Sequence, residues 1–427
     1  MKKSKLTALE RSWILYDIGN SAFILLVSTL IPIYFNSLAT AGGLNESLYL
    51  SYWGYAGSVS TLLVAIIGPI CGTLADHRGF KKPIFMACML LGVLGCAAMG
   101  VTAGWLAFLV VFVLAKVGYS SSLVFYDAML PEVTTDERMD TVSSMGYAYG
   151  YIGSVIPFIL CLLLVLFGDK IGVGTGTAMV VSFLITAVWW FVCTQPLLRR
   201  YRQTAFVEHG GAPVSSTFRR LRDTFREVRQ QKHIFLYLLA FFFFIDGVYT
   251  IIDMATAYGT ALGLDSTGLL LALLVTQFVA FPFAILFGRL SATQDTGKLI
   301  KLCILAYTGI TLFAVFLKTQ WQFWVLAVLV GMFQGGIQAL SRSYLGKIIP
   351  PERSGEYFGL MDICGKGAAF LGTTLIAVIS QLTAGMTVHI FGQELQNESI
   401  AVGTLVILFA VGYVLFCKAD KLNKARN

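Results

Sequence analysis

Long apolar runs separated by short polar stretches recur from one end of the chain to the other, at about the 20-residue length that a helix needs to cross a bilayer. Read by their breakers, they give twelve spans: 11–38, 50–76, 83–102, 104–131, 141–167, 174–195, 234–262, 265–291, 298–318, 321–349, 355–383 and 398–418. Only one polar stretch is long. Pro196 to His233 holds nine basic residues against three acidic ones and a Gly210-Gly211-Ala212-Pro213 break, and it separates six spans from six. The expected organisation is an N-terminal six-helix half (1–195), a basic connecting segment (196–233) and a C-terminal six-helix half (234–427). From Ser215 to Gln231, Phe218, Leu221, Phe225 and Val228 alternate with arginines, which reads as an amphipathic helix on the inner membrane surface. A solvated connector is the competing reading.

Composition sharpens this into an all-α integral membrane protein. The chain is 57% hydrophobic and 13% charged, with a mean hydropathy of +0.76. A net charge of +8 invites a nucleic-acid reading, which the placement of the bases removes. Of the 31 basic residues, all but five lie in the two tails, in every second loop or at the span ends that border these; Lys116, Arg342 and Lys366 lie deeper within spans, and Lys170 and Lys318 in or at the edge of the intervening loops. This is the positive-inside asymmetry, and it puts both termini in the cytoplasm. The eight cysteines form no C-x-x-C pair and nearly all fall in apolar runs, which argues against disulfides and a zinc site. The Met1-Lys2-Lys3-Ser4-Lys5 start mimics a signal peptide, but its apolar region is too long and is interrupted by Asp17 and Asn20, so a retained first helix is expected. The halves echo each other: a shift of 219 residues lays Pro131 on Pro350, Gly146 on Gly365 and Gly153 on Gly372, and a shift of 216 lays Gly72 on Gly288. Two pseudo-symmetric halves from an internal duplication follow.

Ionisable groups at membrane depth are costly, so each is a functional candidate, with helix packing as the alternative. Away from their ends the spans contain Asp17, Asp127, Asp246, Asp253, Asp362, Lys116, Arg342 and Lys366. Asn20, Lys116, Asp246 and Lys366 come near the middle of their helices, Asp17 somewhat nearer the inner side, and Asp127 and Arg342 near the inner ends. Gln334, Gln338 and Arg342 recur every four positions and share a face, as do Asp246 and Asp253 with Tyr249 between them. Asp362 and Lys366, four apart, are placed for an intrahelical ion pair. A mid-membrane carboxylate can carry a proton or hold the amino group of a substrate, and the residues leave both roles open.

Between the second and third spans lies Gly72-Thr73-Leu74-Ala75-Asp76-His77-Arg78-Gly79-Phe80-Lys81-Lys82. This charged hairpin resembles the loop between helices 2 and 3 of major facilitator superfamily transporters. The resemblance implies the twelve-helix major facilitator fold, with helices 1, 4, 7 and 10 lining a central cavity. It thereby puts Asp17, Lys116, Asp246, Gln334, Gln338 and Arg342 where a solute would pass. It also implies that Asp76 packs on the N-terminus of helix 11, near Ser354-Gly355-Glu356, so that Gly72, Asp76, Gly79, Lys81 and Lys82 form an inner gate. Trp13 to Phe23, Leu130-Pro131, Ser143 to Gly146, Gly150 to Gly153, Asp246-Gly247-Val248, Gly335 to Ser343 and Glu356 to Gly359 resemble the "unknown major facilitator" branch. The best-known relatives of that branch are vacuolar effluxers of amino acids in autophagy. Two departures stand out: Lys116 is the nearest base to an early helix-4 arginine found in many members, and Gly146, Gly150, Gly153 and Pro157 match the helix-5 antiporter pattern only in part.

The reading is a secondary transporter that moves a small polar solute, an amino acid or similar, outward by alternating access, with protons as candidate coupling ions. It is expected to be a monomer in a bacterial cytoplasmic membrane, with no cofactor, metal or nucleic acid. The alternatives are a carrier of an amphiphilic or lipid-linked substrate and a non-transporting sensor. An enzyme or ATP-driven pump is disfavoured, since the nearest P-loop candidate, Gly359 to Gly365-Lys366-Gly367, has the wrong spacing and lies inside a span. His77, His209, His233 and His389 do not cluster at ligand spacing.

Overall fold

In the computed structural model the described residues are 5–44, 46–207, 223, 226–383, 388–390, 393–395 and 397–426. The helices in chain order are α1 (Ala8–Val27), α2 (Leu30–Ala41), α3 (Glu46–Ala75), α4 (Lys81–Ala98), α5 (Trp105–Ala128), α6 (Leu130–Val133), α7 (Asp136–Phe167), α8 (Thr175–Arg200), α9 (Lys232–Ala261), α10 (Ser266–Leu290), α11 (Thr296–Val315), α12 (Gln320–Ile348), α13 (Ser354–Leu382), α14 (Asn397–Gly403) and α15 (Leu405–Lys424). A short antiparallel hairpin of β1 (Val388–Ile390) and β2 (Gln393–Leu395) lies where only a loop was expected.

Among the described residues, twelve stretches are long and apolar enough to cross a membrane, and each falls within several residues of a span read from the sequence. The largest shifts are at the seventh, whose apolar stretch ends at Ala255, at the eighth, which begins at Leu271, and at the twelfth, which ends at Lys424. The first span, Ala8–Ala41, is two helices, α1 and α2. At their junction the Ser28 and Thr29 hydroxyls donate to the carbonyls of Ile24 and Leu25, satisfying groups that a helix break exposes. Thr7 opens α1 with a capping box closed by Glu10, and Thr319 opens α12 with another closed by Gln322. The outward faces are apolar, as lipid requires: Leu62, Leu94, Leu166 and Ile407 are all more than half exposed. The described part of the expected amphipathic segment is residue 223 and residues 226–231, helical except at 231; its other residues, and the Gly210 to Pro213 break before it, lie outside the described residues.

The chain sorts into two compact units. The first comprises residues 1–135, 149–218 and 350–359, and in it α1 packs on α8, α3 and α4 on α5, and α4 on α8. The second comprises residues 136–148, 219–349 and 360–427, and in it α9 packs on α15, α10 and α11 on α12, and α11 on α15. Counted as spans, the pairing is the same in both: first with sixth, second and third with fourth, third with sixth. That repetition is the pseudo-symmetry expected from the duplicated glycines and prolines. The start of α13 belongs to the first unit and the start of α7 to the second.

Candidate functional site

In the first unit the hairpin after α3 is built around Asp76, which is fully buried. Its Oδ1 accepts from the amide of Gly355 at 2.8 Å and its Oδ2 from that of Glu356 at 2.9 Å, so the carboxylate closes the N-terminus of α13 where the helix presents free donors. Gly79 makes the turn possible with φ +80°, a conformation that side-chain-bearing residues rarely adopt. Gly72 serves a different purpose. A Cβ on Gly355 would lie 2.6 Å from the Gly72 carbonyl oxygen, and one on Gly359 would lie 3.1 Å from that of Gly68. Two pairs of glycines four residues apart thus bring α3 and α13 together backbone to backbone. The Lys81 side chain, also fully buried, donates to Glu132 Oε1 at 2.6 Å and to Ser354 Oγ at 2.8 Å, and lies 3.9 Å from Asp76. Lys82 is half-buried and takes no part in these bonds. Burial pushes the Asp76 carboxyl up to about 7, against the pull of Lys81 and the amides of Glu356 and Gly355.

The same unit explains the first-span motif. Trp13 stacks on Tyr126 at 4.2 Å between centroids and donates to its carbonyl at 2.9 Å, and Tyr16 is bonded to Ser122 at 2.6 Å. These bonds fix α1 against α5 and leave Asp17 and Asn20 on a neighbouring face. Asn20 donates to Asp17 Oδ1 at 3.3 Å and to the Tyr16 carbonyl at 3.0 Å. A Cβ on Gly150 would lie 2.9 Å from Ser21 Oγ, so α7 passes close to this pair. Lys116, on α5, stands over the Phe112 ring at 5.9 Å.

In the second unit Asp246 lies midway along α9 and is fully buried. Its Oδ1 accepts from the Gly372 amide at 3.0 Å and from Thr250 Oγ1 at 3.3 Å. Its Oδ2 is buried and has no hydrogen-bond partner among the described residues. Tyr249 is half-buried one residue before Thr250. On α12, Gln334 is buried with its Oε1 unpartnered among the described residues, and Gln338 is half-buried a turn later. Arg342, a further turn on, donates to Ser143 Oγ and to the Ser143 carbonyl, each at 2.9 Å, and stacks over Tyr147 at 4.4 Å, so it binds the start of α7. Asp140 completes that end: it accepts from Ser343 Oγ, Thr296 Oγ1 and Lys347 Nζ, each at 2.6 Å. Asp362 and Lys366 form the intrahelical ion pair that their spacing allows. Glu132 and Asp140 were not singled out by sequence, although Glu132 directly follows the Leu130-Pro131 motif.

Over residues 7–426 the sequence matches the family described as "Vacuole effluxer Atg22 like". The chain belongs to this family. It is 41% identical over 417 residues to the "Uncharacterized MFS-type transporter YxiO" of Bacillus subtilis (strain 168), covering 96% of this chain and 94% of that protein. It is 29% identical over 273 residues to "Autophagy-related protein 22-1" of Penicillium rubens, covering 57% of this chain and 45% of the fungal protein, so it spans under half the length of that relative. Among solved structures, it superposes on the major facilitator transporter FucP with a TM-score of 0.71 at 15% identity, covering 96% of this chain and 97% of the other. For the human organic anion transporter MFSD10 (TETRAN) the TM-score is 0.69 at 14% identity, with 96% and 98% covered. This member of the Atg22-like family is therefore a multi-pass integral membrane protein with the major facilitator fold, a secondary transporter of a small molecule.

Proposed function

We propose that this transporter exports a small polar solute that carries an amino group, an amino acid or a close relative, across a bacterial cytoplasmic membrane by alternating access. Asp246 carries the reading. One of its oxygens is committed to Gly372 and Thr250, and the other is buried and uncommitted among the described residues, which calls for a proton or a cation. The effluxer description of the family and the autophagy-related names of its fungal members support outward movement of a metabolite. In this scheme Asp17, Asn20, Lys116, Tyr249, Gln334, Gln338, Arg342 and Lys366 line or support the solute path. Gly72, Asp76, Gly79, Lys81 and Lys82 form the gate on the inner side, where both termini lie.

The test is flux in proteoliposomes against a panel of amino acids and short peptides, with and without a pH gradient. Asp246→Asn, which keeps size and loses charge, is expected to lower flux at least about 100-fold with folding intact, in line with the several kcal/mol that an intramembrane charge commands. Loss of gradient-driven flux with exchange preserved assigns Asp246 the proton, and loss of both assigns it the substrate. Normal flux in both assays removes Asp246 from the mechanism.

A further inference from the structure

The segment that leaves α8 does not behave as a connector. Over residues 201–207 it has no regular secondary structure apart from a bridge at Val207, and it lies on the hairpin that holds Asp76. Val207 donates its amide to the Asp76 carbonyl at 2.9 Å, forming a parallel bridge with His77. The Gln203 side chain works in both directions: its oxygen accepts from the amides of Gly79 at 2.9 Å and Lys81 at 3.3 Å, and its nitrogen donates to the carbonyl of Ala75 at 3.0 Å. It thereby satisfies the last carbonyl of α3, an amide of the turn and the first amide of α4, groups that no helix bond can reach. Arg78 sits over the Phe206 ring at 5.3 Å.

Glu132 ties this segment to the buried lysine. Its Oε1 accepts from Lys81 Nζ at 2.6 Å and from the Tyr201 hydroxyl at 2.8 Å. Its Oε2 accepts from the Thr204 amide at 2.6 Å, the Thr204 hydroxyl at 3.2 Å and the Ala205 amide at 3.0 Å. Five donors converge on one carboxylate whose side chain is 1% exposed. Lys81 carries the connection onward, because the same ammonium reaches Ser354 at the start of α13. A purely structural tether would need no such chain of bonds through the gate lysine.

We propose that residues 201–207, anchored on Glu132, are a working part of the gate: they hold Lys81 and the Gly79 turn in the position from which Asp76 and Lys81 grip the start of α13. Glu132 and Gln203 are positioning residues, since neither touches α13 in any bond described above. The proposal rests on the gate reading of Asp76. It also explains why an acid follows Leu130-Pro131: Pro131 lies in the first turn of the one-turn helix α6, which turns Glu132 back toward the hairpin.

Hydrogen exchange on the full-length protein, read in peptides covering 75–82 and 350–359, separates the two levels. Asp76→Asn tests the gate alone and is expected to speed exchange at the amides of Gly355 and Glu356 about tenfold or more. Glu132→Gln keeps the shape but sets an amide group against donors, and Gln203→Ala removes the double clamp without touching charge. Both are expected to speed exchange in the two peptides together, with peptides from 136–148 and 296–301 unchanged and the melting temperature close to wild type. Glu132→Asp, which retains the acceptor charge, is expected to recover part of the protection. A response to Asp76→Asn with none to Glu132→Gln or Gln203→Ala overturns the role of the segment and leaves the gate reading standing. No response to Asp76→Asn overturns the gate reading itself. Should Glu132→Gln fail to fold, Gln203→Ala alone decides: faster exchange at 350–359 supports the proposal, and unchanged exchange sinks it.

Discussion

Two acids hold the starts of two swapped segments, and they do so by different chemistry. In the first unit Asp76 sits in a loop and takes the amides of Gly355 and Glu356, donors that cannot reverse. In the second unit Asp140 sits on the swapped helix itself and takes two hydroxyls and Lys347, whose side chain is 25% exposed. The glycines that the duplication lays on each other differ in the same sense. Gly72 lies against the backbone of Gly355, and Gly288 against the side chain of Ser144. The site of close approach recurs in the two units, and the fastening differs: backbone in the first, a side chain in the second. A fastening made of side chains can be repacked, whereas one made of backbone can only hold or part.

The strongest way to break this contrast is to wedge both contacts. Gly72→Ala is expected to destabilise by about 1–3 kcal/mol, because the new methyl meets a main chain that has nothing to remove. Gly288→Ala is expected to cost less, and Ser144→Gly, by deleting the opposing side chain, is expected to rescue it. Thermal unfolding of the single and double variants measures both; equal, unrescued losses would erase the distinction.

A smaller effect comes from the acids. Asp76→Asn replaces one acceptor of a buried amide with a donor, at about 2 kcal/mol. Asp140→Asn is expected to cost about half that, since Ser343 and Thr296 can turn their hydroxyls and donate elsewhere, and a partly exposed lysine pair is worth at most about 1 kcal/mol. Chemical denaturation in the same detergent ranks the two, and a larger loss at Asp140 would reverse the argument.

The remaining test is in pH. Asp76 holds its proton up to about 7 in the folded chain, against an ordinary 3.8, with burial as the first cause. Its contribution to stability is thus fully present below about 4 and is lost as pH rises through about 7. Facing it are Lys81 and Glu356, with Glu132 and Tyr201 one bond beyond. The melting temperature of the wild type relative to Asp76→Asn should therefore fall between pH 4 and 7 and level off above. A flat difference would mean that Asp76 is ionised throughout that range.

The twelve spans were legible because hydrocarbon thickness sets their length and lipid sets their apolar faces, two constraints that act residue by residue. Asp76 was legible through the resemblance of its loop to that of a known family, a resemblance whose turn glycine and flanking bases lie within a few positions of it. Glu132 and Gln203 were not. Their partners are up to 128 residues away, in a stretch with no periodicity, and nothing local distinguishes a buried carboxylate with five donors from a solvated one. Asp140 was hidden by a boundary, since the expected fifth span began at 141 whereas α7 begins at Asp136, its Asp136 and Glu137 being the usual acidic first turn. Asp246 was visible as a buried charge in an apolar run, but its bond to Gly372 spans 126 residues and only the folded chain supplies it.

The paired glycines of α3 and α13 have a consequence for leakage. Side-chain interfaces breathe on the timescale of rotamer flips, and each flip can admit a water molecule. Between Gly68 and Gly359, and between Gly72 and Gly355, there are no rotamers to flip, so a file of water has no way to thread the contact one molecule at a time. Water is therefore expected to enter this seam only where the two backbones themselves part.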